Sequence, residues 1–168
     1  MRLLIIRHAI AGDKTEFAKT GQSDDLRPIT ADGRDKMERA ADGLREVVPT
    51  ISLLASSPLT RAAQTAEIIA LEYDIPIDET IDALRPDAPF DDFLGWLTTR
   101  AARDIIAVVG HEPHLSGLIS WLISGGAKFR IDLKKGGACL LEFGGAPERG
   151  CAILLWSIPP AQLRALGR

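Results

Sequence analysis

A chain of 168 residues, 46% of them apolar, is long enough to bury about 70% of its unfolded surface around one core and needs no covalent staple. Its formal charge of −3, from 20 basic and 23 acidic residues, argues against a general nucleic-acid binder. With no basic leader and no apolar run of about 20 residues, the sequence carries no export or membrane signal. The expectation is a single cytoplasmic domain over 1–168 that holds any anion locally.

The first element is Leu3-Leu4-Ile5-Ile6, an apolar run that reads as a fully buried parallel strand, followed by Arg7-His8. In open α/β sheets ligands collect beyond the carboxyl ends of the strands. A cation and an imidazole side by side at that place form a phosphate clamp beside a nitrogen nucleophile. Residues Ala9 to Asp25 lack apolar periodicity and are expected as a loop over the strand end. Thr30 is a good N-cap for a helix running to about Val48, with Met37, Ala40, Ala41, Leu44 and Val47 as its inner stripe.

Ile51 to Ala55 reads as a second buried strand, and Ser57-Pro58 as the cap and first position of the next helix, which places Arg61 in its first turn. The N–H groups and dipole of that turn favour an anion within reach of Arg61. Tyr73 to Pro89 is a connection with a short extended piece at Ile75-Pro76-Ile77. A helix is expected from Asp91, with Asp91 or Asp92 as its cap, to about Ala102, with Phe93, Leu94 and Leu97 inward.

Ile105 to Val109 is the third buried strand, and Gly110-His111-Glu112-Pro113 repeats the strand-to-helix layout of Ser57-Pro58. The helix from about Pro113 to Ser124 buries Leu115, Leu118, Ile119 and Leu122 and ends at Gly125-Gly126. His111 and His114 stand at i, i+3, a spacing that can hold a metal, but no third ligand occurs at suitable spacing. Lys128, Arg130, Lys134 and Lys135 read as a solvated basic face that could also dock a phosphorylated partner. Ala138 to Phe143 and Cys151 to Trp156, around a Gly/Pro turn, predict an antiparallel hairpin, and Pro159-Pro160 opens a last helix with Leu163 and Leu166 inward. Cys139 and Cys151 read as reduced core residues. No Walker loop, GxGxxG or internal repeat is present.

Four stretches, in this order, resemble the histidine phosphatase (phosphoglycerate-mutase-like) superfamily, and within it the SixA-type phosphohistidine phosphatases. They are Arg7-His8, Arg27-Pro28-Ile29-Thr30-x-x-Gly33, Ser57-Pro58-x-x-Arg61-Ala62-x-x-Thr65-Ala66 and Gly110-His111. The resemblance implies a three-layer α/β/α sandwich with a mostly parallel central sheet and an antiparallel C-terminal hairpin. It further implies His8 as the residue that is phosphorylated, Arg7, Arg61 and His111 as phosphate ligands, and neither cofactor nor metal. The partner is then a phosphorylated protein or a small phosphorylated molecule, with no nucleic acid and no membrane.

That assignment agrees with the chemistry of the groups. Neutral imidazole, with a free pKa of about 6.5, is both a nucleophile and a tolerable leaving group, so it divides one hydrolysis into two displacements. Guanidinium forks, a protonated imidazole and helix N–H groups can hold the three equatorial oxygens of a transferring phosphoryl group.

Two departures stand out. Ala9 replaces the glycine usual after the nucleophile, and Ala83 stands where many related phosphatases carry a glutamate as general acid. Asp13, Glu79 or Asp82 could substitute, or the site could lack an acid, which leans toward phosphohistidine because imidazole leaves readily from a phosphoramidate. The short segments after His8 and between Tyr73 and Pro89 leave little material for a lid, so a shallow site is expected. The competing readings are a small-molecule phosphomonoesterase and a phosphate-binding module that does not turn over.

Overall fold

The computed structural model describes residues 1–128 and 131–167. Arg130 of the basic stretch therefore lies outside the described residues. Leu3, Leu4, Ile5 and Ile6 have no solvent exposure and form the heart of β1 (Arg2–Arg7). Beyond it come α1 (Lys14–Ala18), α2 (Ala31–Val47), β2 (Leu53–Ser56), α3 (Thr60–Tyr73), β3 (Glu79–Thr80), α4 (Phe90–Thr98) and β4 (Ile105–Gly110). The chain continues through α5 (His114–Ser124), β5 (Ala138–Glu142), β6 (Ile153–Ile158) and α6 (Pro160–Leu166).

The strands make one sheet in the order β3-β2-β4-β1-β5-β6. The pairs β2–β3, β2–β4 and β1–β4 are parallel, and β5 and β6 run antiparallel to their neighbours. Alternation along β1 sorts the layers, because successive side chains of a strand face opposite ways. Leu4 and Ile6 face a core with Met37, Ala40 and Leu44 of α2, Ala62, Ala66 and Ile69 of α3 and Leu163 of α6. Leu3 and Ile5 face Phe93 and Leu97 of α4 and Leu115, Leu118 and Ile119 of α5. The architecture is thus the expected three-layer α/β/α sandwich, each buried Leu or Ile contributing roughly 1.5–3 kcal/mol of hydrophobic stabilisation. Among the described residues no helix is long and apolar enough to cross a membrane.

The register of β1 on β4 sets where the strand-end side chains meet. Arg7 pairs with Gly110, and Ser56 of β2 pairs with Val109 on the other side of β4. His8, His111 and Ser57 therefore leave three adjacent parallel strands at one level.

Several local expectations are corrected. The segment after His8 is not all loop: Asp13 caps α1 by accepting the Glu16 N–H at 2.9 Å, and Ser23 caps a 3-10 turn at Asp24–Leu26. Neither element buries a side chain, so neither leaves an apolar stripe to read. Ser57 does not cap α3, which starts at Thr60 without any side-chain cap, although Arg61 keeps its first-turn place. The extended piece falls at Glu79–Thr80 and not at Ile75-Pro76-Ile77, fixed by the Asp78 carboxylate accepting the Leu54 N–H at 2.8 Å.

Further corrections concern ends and faces. The α4 helix starts at Phe90 on Pro89, with Asp91 and Asp92 in its first turn and no side-chain cap, and stops at Thr98. At the end of α2 the chain buries Val48 while Val47 is 37% exposed. Leu166 is also exposed, and of the two free cysteines Cys139 is buried but Cys151 is at the surface.

Gly33 is required by a close approach. A Cβ there would sit 2.2 Å from the Ile10 carbonyl oxygen, and Thr30 ties the same place by donating its N–H to Ile10 at 2.9 Å and accepting the Gly33 N–H at 2.9 Å. The start of α2 thereby braces the chain just after His8.

Candidate active site

At the carboxyl end of β1 the His8 ring is 5% exposed, and its centroid lies 5.2 Å from that of His111. Its Nδ1 is 2.7 Å from the carbonyl oxygen of Ala9, which can only accept, so Nδ1 carries the proton and Nε2 keeps its lone pair. Burial pushes the His8 pKa down to about 3, against the raising effect of the Ala9 contact, and the charges of Arg61, Arg7 and Lys135 push the same way as burial. The backbone after His8 is held by α3: the Ala9 N–H donates to Thr65 Oγ1 at 3.0 Å, and that hydroxyl donates to the Arg61 carbonyl at 2.7 Å.

His111 is almost fully buried, with Nε2 2.8 Å from Ser57 Oγ and Nδ1 without a partner among the described residues. Its pKa also falls to about 3, chiefly from burial and then from His8, Arg61 and His114. The protonated imidazole anticipated from sequence is therefore neutral in the free chain.

Arg7 donates through Nη1 to the Leu133 carbonyl at 2.8 Å, and its Nε is buried without a partner among the described residues. Arg61 donates through Nη1 to the Asp24 carbonyl at 2.9 Å and lies 3.3 Å from its carboxylate. Asp24 is shared, because Arg27 reaches the same carboxylate at 2.7 Å and also donates to the Gly12 carbonyl at 2.7 Å. The hydrogen bond from Arg27 is the main cause of an Asp24 carboxyl held below its usual range. Desolvation lowers both Arg7 and Arg61, which nonetheless remain cations because a guanidinium does not deprotonate in proteins.

Arg7, His8, Arg61 and His111 line one cavity of about 720 Å³, together with Asp13, Asp24, Arg27, Glu112 and Lys135. The structure thus brings together all four residues singled out from sequence, in a cleft roomier than its short walls suggest. A smaller cavity of about 190 Å³ shares Lys135 but contains none of the four.

The three acids proposed to replace the missing glutamate fare differently. Asp13 lines the cavity while capping α1. Glu79 accepts from Arg100 at 2.7 and 2.5 Å and from Trp96 at 2.9 Å, and Asp82 is a surface partner of Arg85 at 2.7 Å; neither lines the cavity. His114 turns its Nε2 to the Ala88 carbonyl at 3.1 Å and its ring to Phe90, so it does not join His111. Among the described residues no group of three His, Cys, Asp or Glu side chains could hold a metal.

Sequence reasoning does not single out Asp24, Arg27 or Glu112 as site residues. A signal for Arg27 exists in the Arg27-Pro28-Ile29-Thr30 stretch, but Asp24 and Glu112 carry no local signature.

The two depressed imidazoles set a stability expectation. Between about pH 6.5 and 3 the unfolded chain binds protons on His8 and His111 that the folded chain refuses. Their contribution is therefore fully present above pH 6.5 and is lost as pH falls toward 3. Urea melts at pH 7, 5 and 4 should show a smaller acid loss for His8→Ala than for the parent. Parallel losses would contradict a neutral buried His8.

A sheet whose central parallel strands end in Arg-His and Gly-His, with an arginine from the next helix closing the cleft, defines a class. Residues 3–85 match the model of the histidine phosphatase superfamily (branch 1), and the chain belongs to that superfamily. An uncharacterized protein of Picosynechococcus sp. is 33% identical over 148 residues, covering 87% of each chain. Among solved structures, the protein histidine phosphatase SixA complexed with tungstate superposes with a TM-score of 0.82 at 22% identity, over 97% of this chain and 99% of its own. The alpha-ribazole phosphatase from Shigella flexneri gives 0.72 at 21%, over 95% and 97%.

Proposed function

We propose that the protein is a phosphatase that works through a phosphohistidine intermediate at His8 and acts on phosphohistidine carried by a protein. The observation that carries this reading is the His8 tautomer. Nδ1–H is committed to the Ala9 carbonyl, leaving a neutral Nε2 at the floor of a cleft whose walls supply cations. A nucleophile that stays unprotonated well below neutral pH needs no separate base. In this reading Arg7 and Arg61 clamp the phosphoryl oxygens. His111 donates from Nδ1 while the Ser57 hydroxyl donates to its Nε2, so a neutral ring still supplies a hydrogen bond.

The choice of a protein substrate rests on the mouth of the cleft. Its walls are the short stretch around Ala11 to Lys14, Pro86, Pro113 and Lys135, with no long insertion over the top among the described residues. Such a mouth admits a side chain presented on a folded surface, while the cavity of about 720 Å³ also has room for a small phosphorylated molecule. Similarity to SixA supports the same substrate class. Similarity to the alpha-ribazole phosphatase supports a second reading, a small-molecule phosphomonoesterase.

A hydrolysis panel separates them. Phosphohistidine peptide, phosphoserine peptide, sugar phosphates and p-nitrophenyl phosphate would be compared under one set of conditions. Phosphohistidine should exceed every sugar phosphate by at least about tenfold in kcat/KM, or about 1.4 kcal/mol in transition-state binding. A sugar phosphate at the top would assign the protein to metabolite chemistry, and no turnover of any member would leave only a binding module.

A further inference from the structure

The residue directly after His111 has no counterpart in the ligand set drawn from sequence. Glu112 lines the same cleft, and its two carboxyl oxygens are treated differently by the fold. Oε2 accepts the Ser116 hydroxyl at 2.5 Å, four residues on in α5, while Oε1 is buried without a hydrogen-bond partner among the described residues. A carboxylate with one buried oxygen lacking a donor is costly, and a carboxylic acid is not. The groups facing it are Arg7 from β1, Asp132 from the segment before β5, and the Ser116 hydroxyl and backbone N–H. Burial, with a smaller push from Asp132, raises the Glu112 pKa against the lowering effects of Ser116 and Arg7.

A proton on Oε1 has no acceptor among the described residues, and Glu112 lines the cleft that a substrate would enter. We propose that Glu112 is the general acid of this site, protonating the leaving atom of the substrate in place of the glutamate absent at Ala83. The inference rests on the phosphatase reading and deepens it.

In the first step Nε2 of His8 bonds to phosphorus as the bond from phosphorus to the leaving oxygen or nitrogen breaks. The electron pair stays on the leaving atom, which takes the Glu112 proton and departs as a neutral alcohol or imidazole. In the second step the Glu112 carboxylate removes a proton from water as the water oxygen bonds to phosphorus. The P–N bond to His8 breaks, its pair returns to Nε2, inorganic phosphate leaves and Glu112 is protonated again.

This makes the site competent for phosphomonoesters with poor leaving groups as well as for phosphoramidates. The test is Glu112→Gln, which keeps an acceptor for Ser116 and removes the proton. Its loss in kcat/KM should reach about 10²–10⁴-fold on phosphoserine peptide and be clearly smaller on p-nitrophenyl phosphate, whose nitrophenolate leaves without a proton. The limb that falls at high pH in the parent should vanish in Glu112→Gln. In Ser116→Ala, where a donor to the carboxylate is gone, that limb should move to higher pH.

An equal loss on both substrates with the parent pH profile retained, or no loss on either, would overturn the proposal while the phosphoenzyme chemistry of the parent stands. A parent that traps no labelled phosphate on His8 from any substrate would overturn the phosphatase reading, and this inference with it.

Discussion

Replacing His8 by alanine should lower kcat by about 10⁴-fold or more and abolish acid-labile phosphoenzyme, because the residue proposed to bond to phosphorus is gone while the rest of the cleft remains. The fold should survive. The four apolar residues of β1 stay in place, and the Ala9 N–H to Thr65 contact that anchors the next residue does not involve the ring. The measurement is a rapid quench with labelled phosphohistidine peptide on parent and variant, with circular dichroism as the folding control. Stoichiometric label on His8→Ala would place the acceptor on another residue, with Nδ1 of His111 the first to examine.

The second large effect is expected at Arg61. Arg61→Ala should cost about 10²–10³-fold in kcat/KM by removing the charge-assisted donor proposed to clamp the phosphoryl oxygens. Arg61→Lys should recover only part of it, since a point ammonium does not reproduce the planar fork that spans two oxygens. Vanadate, a mimic of the five-coordinate transition state, should lose inhibitory strength in parallel with the rate. Arg61 also neutralises Asp24, so its loss leaves that carboxylate paired with Arg27 alone. A double variant with Asp24→Asn separates the two roles: if repulsion of phosphate by Asp24 caused the defect, the second change would restore the rate. Parent-like vanadate inhibition in Arg61→Ala would show that the phosphoryl group does not pass this side chain.

How much of the fold and the site is legible in the sequence depends on whether the signal is local. The buried strands and the three-layer sandwich can be read from runs such as Leu3 to Ile6 and Ile105 to Val109, because burial on both faces leaves an unbroken apolar string. Arg7, His8, Arg61 and His111 can be read because each stands just beyond such a string or in the helical turn after it. The illegible part is set by contacts between distant segments. Ser57 before proline has the local look of a helix cap, yet its hydroxyl is taken by a ring 54 residues away. Asp24 looks like any acid in a polar loop until Arg61, 37 residues on, is found against it. Glu112 has Arg7 of β1 and Asp132 of the segment before β5 as charged neighbours, which no pattern near residue 112 encodes. The displaced ends, such as Val48 for Val47 and a β3 that starts four residues late, are places where one hydrogen bond or one side chain decides between near-equal alternatives.

The order β2-β4-β1 has a consequence for synthesis as well as for catalysis. Of these three strands the two made earlier, β1 and β2, do not touch one another, because the strand that separates them is made last. From the completion of β2 at Ser56 to that of β4 at Gly110 a nascent chain carries two apolar strands whose β4-facing edges are unpaired. At 5–20 residues per second that interval lasts roughly 3–10 s. His8, at the end of β1, is made well before the strand that flanks it, and the cleft cannot close around it until β4 arrives. A chain at that stage thus has His8 without the pocket that surrounds it, and during that interval aggregation is the principal hazard.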